Sequence, residues 1–264
     1  MDGTVSGEER KERPQKGSAA TRRDLTETPL IPPQQFYRTT STPCPYIGGR
    51  VERKLVTELS GREAAPLYNE LSRGGFRRSH HLAYRPACAG CQACVPARIV
   101  AAEFVASRSL RRIAARNGDL AIRVAEPAAT FEQYHLFTRY QRSRHQDSEM
   151  ASMTFGDFRA MIEDSPVATK LIELRGPDRE FLGGCLVDLL DDGLSAVYSF
   201  YEPDDRRRCL GTYLILALIE AARQYRLPYI YLGYWIAESP KMAYKARFRP
   251  LEGLGRRGWT RIEI

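Results

Sequence analysis

No run of apolar residues approaches 18, so neither a membrane-spanning helix nor a membrane partner is expected. Histidine is scarce, with four in 264 residues. His135 and His145 fall in or just beyond a helical stretch, where a structural or exposed role is expected. No Ser-His-Asp or Cys-His arrangement is present, which leaves nucleophilic catalysis without its usual residues. The opening residues are charged and lack a hydrophobic core segment, which argues against secretion and for a cytoplasmic location. Six cysteines are too few for a disulfide scaffold at this length. Acidic residues are the scarcer sign, 32 against 40 basic, for a net charge of +8. Residues 1–28 hold six of each sign, so the excess lies on the remaining body. That excess favours a polyanionic partner, a nucleic acid ahead of an acidic protein. A hydrophobic content of 43% excludes global disorder.

The chain divides into three stretches. Residues 1–33, polar and closed by Pro29, Pro32 and Pro33, are expected to be a disordered tail. Residues 34–105 form a first unit: a strand at 51–59, a short helix at 62–72 capped by Ser60 and Glu63, a strand near 81–85, a cysteine cluster, and the strand VPARIV. Residues 106–264 form a second unit. It opens with a helix over 107–117, capped by Ser107 and ended by Asn117-Gly118. A strand (LAIRVAE), an aromatic-rich helix near 130–144 and a helix over 155–163 capped by Thr154 and Asp157 follow. Then come three strands (TKLIELR, GGCLVDLL, SAVYSFYE), an apolar helix over 211–225, the strand PYIYLGY and a short helix over 240–247. The fold class is mixed α and β.

Three clusters carry chemistry. Arg108, Arg111, Arg112 and Arg116 share one helical face beside a stripe of Leu110, Ile113 and Ala114, a pattern that suits phosphate tracking. Arg206, Arg207 and Arg208 precede Gly211 and Thr212 at the start of the apolar helix. There the first N–H groups and the helix dipole would complete an anion cradle. Cys88, Cys91 and Cys94 stand at two-residue intervals around Gly90, with Cys44 as the natural fourth ligand and His80 or His81 as substitutes. Four thiolates suit tetrahedral Zn²⁺, and the doubled spacing also suits a 4Fe-4S cluster. The choice between the two stays open.

Arg208-x-x-Gly211 before a helix, then a strand, then the run Ala243 to Pro250 resembles the acyl-CoA N-acetyltransferase (GNAT) superfamily. Tyr213 replaces the second small residue of that superfamily's pyrophosphate loop, and Arg247 replaces a helix glycine, so no CoA is expected. A closer resemblance spans roughly residues 36–260. Pro43-Cys44-Pro45-Tyr46, Gly75-Phe76-Arg77-Arg78-Ser79, Tyr84-Arg85-Pro86 with the three cysteines, Phe200-Tyr201, Leu210-Gly211-Thr212-Tyr213, Tyr231-Leu232-Gly233-Tyr234-Trp235 and Lys241-Met242-x-Tyr244-Lys245 occur in order. This set resembles the aminoacyl-tRNA–protein transferase family, in its bacterial aspartate/glutamate leucyltransferase branch. The eukaryotic arginyltransferases are distant relatives.

The resemblance implies a GNAT-like fold with a smaller N-terminal cysteine-bearing domain. It also implies transfer of leucine from leucyl-tRNA to proteins beginning with Asp or Glu, which marks them for N-degron degradation. Under it, Arg207, Arg208, Gly211 and Thr212 would hold the tRNA 3′ end. Arg108, Arg111, Arg112, Arg116, Lys241, Tyr244 and Lys245 would contact the same tRNA. Tyr198, Ser199, Tyr201 and Glu202 would surround the reacting carbonyl, and Tyr234 and Trp235 would line the site or stack the terminal adenine. Arg77 and Arg78 would grip the acidic N-terminus, and Glu202 or Asp188 would accept a proton. Alternatives are an arginyl donor, an acetyl-CoA-dependent N-acetyltransferase, and a non-catalytic, metal-dependent RNA-binding regulator.

Overall fold

Residues 169–201 hold three runs rich in apolar residues, separated by polar turns at 176–180 and 191–192. The chain folds them into an antiparallel meander of Thr169–Arg175, Phe181–Leu190 and Gly193–Tyr201. Strands this apolar need cover on both faces. The helix Leu210–Gln224 covers one face with Leu214, Leu218 and Ile219. Helices Phe131–Arg144 and Phe155–Glu163 cover the other with Phe137, Phe158 and Ile162. This computed structural model describes residues 34–144, 146 and 148–263. The expected tail at 1–33 and His145 lie outside the described residues.

The meander belongs to an eight-stranded sheet. Its order is Gly258–Arg261, Leu251–Gly255, Val95–Val100, Tyr229–Trp235, Gly193–Tyr201, Phe181–Leu190, Thr169–Arg175 and Ala121–Ala125. Every neighbouring pair is antiparallel except Gly193–Tyr201 with Tyr229–Trp235. A parallel pair needs a crossover, and the helix Leu210–Gln224 supplies it. This pairing lasts only three positions: Gly193 with Tyr229, Leu194 with Ile230, and Ser195 with Tyr231. Beyond them the two strands part and leave a cleft.

Val95–Val100 precedes the boundary expected at 105/106, yet it lies inside this sheet, between Tyr229–Trp235 and Leu251–Gly255. From Gln35 onward the chain clusters as one compact unit. A four-stranded antiparallel sheet of Tyr37–Arg38, Lys54–Glu58, Leu82–Pro86 and Arg77–Ser79 carries the first segment. The helix Ala64–Arg73 buries Tyr68 and Leu71 with Ala83, Leu190 and Tyr231.

Local capping signals are realised at two helices. Ser107 caps Arg108–Arg116 by accepting from the Leu110 N–H, and Thr154 and Asp157 form both halves of a capping box. Ser60 does not cap its helix. A 3₁₀ turn, Gly61–Glu63, intervenes and the Ser60 side chain makes no capping bond. The hairpin of Leu251–Gly255 and Gly258–Arg261 is not expected from the sequence. No helix among the described residues is long and apolar enough to cross a membrane.

Candidate active site

The cleft between the parted strands is filled from the side by the strand Arg77–Ser79. Successive residues of a strand face opposite ways, and Arg77 and Arg78 meet different fates. Arg78 is 3% exposed. It forms a two-pronged ion pair with Asp188, Nε to Oδ2 at 2.8 Å and Nη2 to Oδ1 at 2.6 Å, while Nη1 donates to the His80 carbonyl. Asp188 also accepts from Thr169 Oγ1 at 2.8 Å. Neither expectation for this pair survives: Arg78 cannot grip a substrate, and Asp188 is not a free proton acceptor.

Arg77 reaches into the cleft. Its Nη2 donates to the carbonyls of Ala196 (2.6 Å) and Val197 (3.0 Å), on one parted strand. Its guanidinium lies against Gly233 on the other, where a Cβ would stand 2.3 Å from Nη1. Gly233 also adopts φ +75°, so two constraints exclude a side chain there. Nη1 is buried and has no hydrogen-bond partner.

Lys245, expected at a tRNA phosphate, is instead 5% exposed. It sits in the 3₁₀ turn Tyr244–Arg247, and its Nζ donates to the Tyr234 carbonyl. Burial, then the charge of Arg77, push its amine down to about 7. Arg77 and Lys245 line one cavity of about 410 Å³. Met150, Val197, Leu214, Ile215, Leu232 and Met242 give it apolar walls, and Tyr198, Ser199 and Tyr244 bring hydroxyls. Among the described residues no Asp or Glu lines it.

A second cavity, about 390 Å³, shares Ser199, Gly211 and Tyr244 with the first. Tyr201 and Thr212 line it, as do the cations Arg144, Lys241 and Arg247. The reason for glycine at 211 differs from the expected one. A Cβ there would stand 2.6 Å from the Tyr201 ring, so Gly211 makes room for Tyr201. The Tyr201 ring lies tilted against that of Tyr140, centroids 4.9 Å apart, and the Tyr198 hydroxyl accepts from Gln141 Nε2 at 2.5 Å. Glu202 lines neither cavity. It pairs with Arg139 at 2.5 Å and accepts from the Asp204 N–H, which removes it from the expected catalytic group.

Outside the cavities, Arg108, Arg111, Arg112 and Arg116 are exposed on a helix anchored by Leu110 and Ile113. Arg116 donates to the Arg207 carbonyl, which joins this face to the arginine loop. Buried Asn117 reinforces the junction by donating to the carbonyls of Ile113 and Arg208. Arg206 and Arg207 are exposed. Arg208 is not available to phosphate in this arrangement, because it grips Asp119 at 2.7 and 2.8 Å and Asp205 at 3.2 Å. Sequence reasoning misses Asn117 as a junction residue, and it misses Gln141, Arg144 and Met150. None stands in a recognisable motif, and no local signal marks them.

Cys44, Cys88, Cys91 and Cys94 act on one another electrostatically. Burial, then Cys44, Cys88 and Cys91, push the Cys94 thiol up to about 12. Cys91 shifts the other way, held down by the Ala93 N–H and by Arg50, whose Nη1 lies 3.3 Å away. The donor set is chemically suited to a metal, but among the described residues no three side chains converge as ligands.

Two family models match the chain. "Arginine-tRNA-protein transferase, N terminus" matches residues 42–112, and "Arginine-tRNA-protein transferase, C terminus" matches residues 132–255. The chain is 52% identical over 234 residues to an aspartate/glutamate leucyltransferase of Paramagnetospirillum magneticum, covering 89% of this chain and 96% of that one. It is 50% identical over 240 residues to the Rhodospirillum rubrum protein of the same name, covering 90% and 98%. The Ruegeria pomeroyi protein of that name is 53% identical over 225 residues, covering 85% and 82%. Among solved structures, L-PGS from Bacillus licheniformis aligns with a TM-score of 0.45 at 13% identity, over 69% of this chain and 54% of that one. With half of its residues identical over nearly the full length of such relatives, the chain belongs to the aminoacyl-tRNA–protein transferase family.

Proposed function

We propose that this enzyme transfers leucine from leucyl-tRNA to the α-amine of proteins beginning with Asp or Glu. The observation that carries this reading is the composition of the inner cavity: apolar walls, the basic side chains of Arg77 and Lys245, and no lining carboxylate among the described residues. An arginyl side chain would meet like charge there without a counter-ion, whereas a leucyl side chain suits the Met150, Leu214 and Ile215 walls. An acidic acceptor suits Arg77, which can bond a carboxylate through its unpartnered Nη1. The neighbouring cavity, with Arg144, Lys241 and Arg247, suits the tRNA acceptor end. The exposed arginines of the helix Arg108–Arg116 would continue that track.

On this reading the ester lies where the cavities meet, beside Ser199, Gly211 and Tyr244. The acceptor amine, with a reference pKa near 7.7–8.0, attacks the ester carbonyl carbon. A C–N bond forms, the C–O bond to the ribose breaks, and the ribose oxygen takes up a proton. Positioning and oxyanion stabilisation by the Ser199 and Tyr244 hydroxyls suffice, because the ester is already activated. Isolation of a covalent aminoacyl-enzyme would contradict this direct attack. We place the reaction in the cytoplasm, where charged tRNA is made, and its product in the N-degron pathway.

Cys44, Cys88, Cys91 and Cys94 are our choice for a metal site that would fix the loop following Leu82–Pro86, the strand on which Tyr84 pairs with Arg77. Occupancy requires the Cys88–Cys94 loop, turned at Gly90 with φ +68°, to close on the ion. Bound zinc or iron that is lost in Cys94→Ser is expected, and a purified chain free of both overturns this assignment. No step of the transfer runs through that group.

The deciding experiment mixes the protein with radiolabelled leucyl- or arginyl-tRNA and peptides starting with Asp, Glu or Ala. Leucine on the Asp and Glu peptides alone is expected. Arginine moving instead would correct the donor, and label on no peptide would overturn the proposal.

A further inference from the structure

Lys245 has no place in the sequence-based account once it is found buried. Its ammonium would be costly at 5% exposure without a counter-charge. The groups around it make that cost plain. Nζ donates to one backbone carbonyl, that of Tyr234, and lies 3.5 Å from the Met242 sulfur. Neither neutralises a charge. Arg77, on the same cavity wall, adds a like charge and leaves its own Nη1 unbonded. Arg78 shows how this protein treats a buried cation whose role is structural, because there Asp188 provides a two-pronged partner. Nothing comparable is supplied to Arg77 or Lys245. Two donors converge on one wall, each with capacity to spare, and the missing partner is an anion small enough for a cavity of about 410 Å³ that must also admit a leucyl group.

We propose that Lys245 is the second half of a carboxylate clamp: its ammonium and the Arg77 Nη1–H together hold the side-chain carboxylate of the acceptor's N-terminal Asp or Glu. This assignment rests on the acidic-acceptor reading above and adds to it a specificity-determining residue. The Arg77 guanidinium is tethered by Nη2 to Ala196 and Val197 and packs Nη1 against Gly233, and a second cation raises the cost of any neutral side chain in that place. An Asn or Gln acceptor would leave half-buried Arg77 and buried Lys245 facing an amide, so discrimination against the isostere is built into the wall.

The test uses the full chain and its Lys245→Met variant, in which an apolar chain of similar length fills the same space. Leucine transfer is measured to peptides that differ only in a first residue of Asp or Asn. In the variant, KM for the Asp peptide is expected to rise at least tenfold, and the preference for Asp over Asn to shrink by the same factor. KM for leucyl-tRNA is expected to stay within about twofold. An unchanged preference overturns the clamp, and so does an equal loss on both peptides, which is what a merely structural role would give. Titration calorimetry with the free dipeptides Asp-Ala and Asn-Ala, without tRNA, separates this proposal from the transfer reading. Wild type that binds Asp-Ala more tightly, with the difference abolished in Lys245→Met or in Lys245→Gln, supports the clamp even if no leucine moves. Wild type with no such preference overturns it.

Discussion

The cations of the cleft and the cations of the surface face opposite problems. Lys245 and the Nη1 of half-buried Arg77 are withdrawn from water without a carboxylate, whereas Arg108, Arg111, Arg112 and Arg116 stand in solvent on one helical face. In the arginine loop beside the surface group the protein places acids freely, with Asp119 and Asp205 both on Arg208. In the cleft it withholds them. By count of charges the surface helix is the stronger electrostatic feature, but by desolvation the cleft is. A buried cation left without a partner marks where a ligand anion belongs. An exposed one marks only where a polyanion is welcome.

Arg78 is the control for this comparison, a buried cation that does have its partner, and its loss should have the largest effect. Arg78→Met strands Asp188 in the core and is expected to cost about 3–5 kcal/mol of stability. At this chain length that is a fall of about 10 °C in Tm by calorimetry. Arg78→Met with Asp188→Leu should recover most of it, with transfer per folded molecule little changed. A double variant that stays folded but loses transfer would place Arg78 back in the site. Next in size is Arg77→Met. The loss of a buried charge partner of the acceptor should lower kcat/KM for Asp and Glu peptides about 100-fold. If that variant still separates Asp from Ala peptides, the cleft is not where acidity is read.

The contrast between Arg77 and Arg78 also marks the limit of what the sequence makes legible. Their adjacency in Gly75-Phe76-Arg77-Arg78-Ser79 suggests one role, and strand alternation assigns them two. The deciding partner, Asp188, is 110 residues away and carries no signal of its own. Helices are legible where capping is local, at Ser107 and at Thr154 with Asp157. The hairpin at residues 251–261 is not, since Gly253 and Gly255 interrupt its apolar pattern. The first of these glycines reflects tertiary packing: a Cβ at Gly253 would meet Val95 and Ile262. Lys245 reads as part of a basic helix face because Lys241, Lys245 and Arg247 are close in sequence. The short α turn Pro240–Ala243 passes into a 3₁₀ turn at Tyr244, and the change of pitch sends Lys245 inward while Lys241 stays out. No residue-by-residue pattern announces that switch.

Lys245 also makes the cleft measurable without substrate. Its amine titrates near 7 when folded and near 10.4 when unfolded, so between these values the unfolded chain holds the extra proton. Stability must then rise with pH, by up to about 1.4 kcal/mol per unit. The charged group opposing protonation is Arg77, and Cys94 acts weakly in the other sense. Denaturation midpoints between pH 7.5 and 9 should climb in wild type and flatten in Lys245→Met. A wild-type profile as flat as the variant's would mean that the cleft has water or a counter-ion, and the contrast with the surface arginines would lose its basis.

The smallest effects belong to the surface, and they test the other half of the comparison. Arg112→Ala removes one exposed cation, so KM for leucyl-tRNA should rise only about two- to threefold at moderate salt. The slope of log affinity against log salt should fall by about 0.7–0.9, the share of a single neutralised phosphate. Arg208→Ala should do less on both counts, because its guanidinium is already bound to Asp119 and Asp205 and releases fewer counter-ions when tRNA arrives. If Arg208→Ala instead proves the more damaging of the two, the Asp119 pair must open on tRNA binding. In that case the arginine loop, and not the helix Arg108–Arg116, would be the main phosphate-binding element, and Asp119→Asn should then tighten tRNA binding by freeing the Arg208 guanidinium in advance.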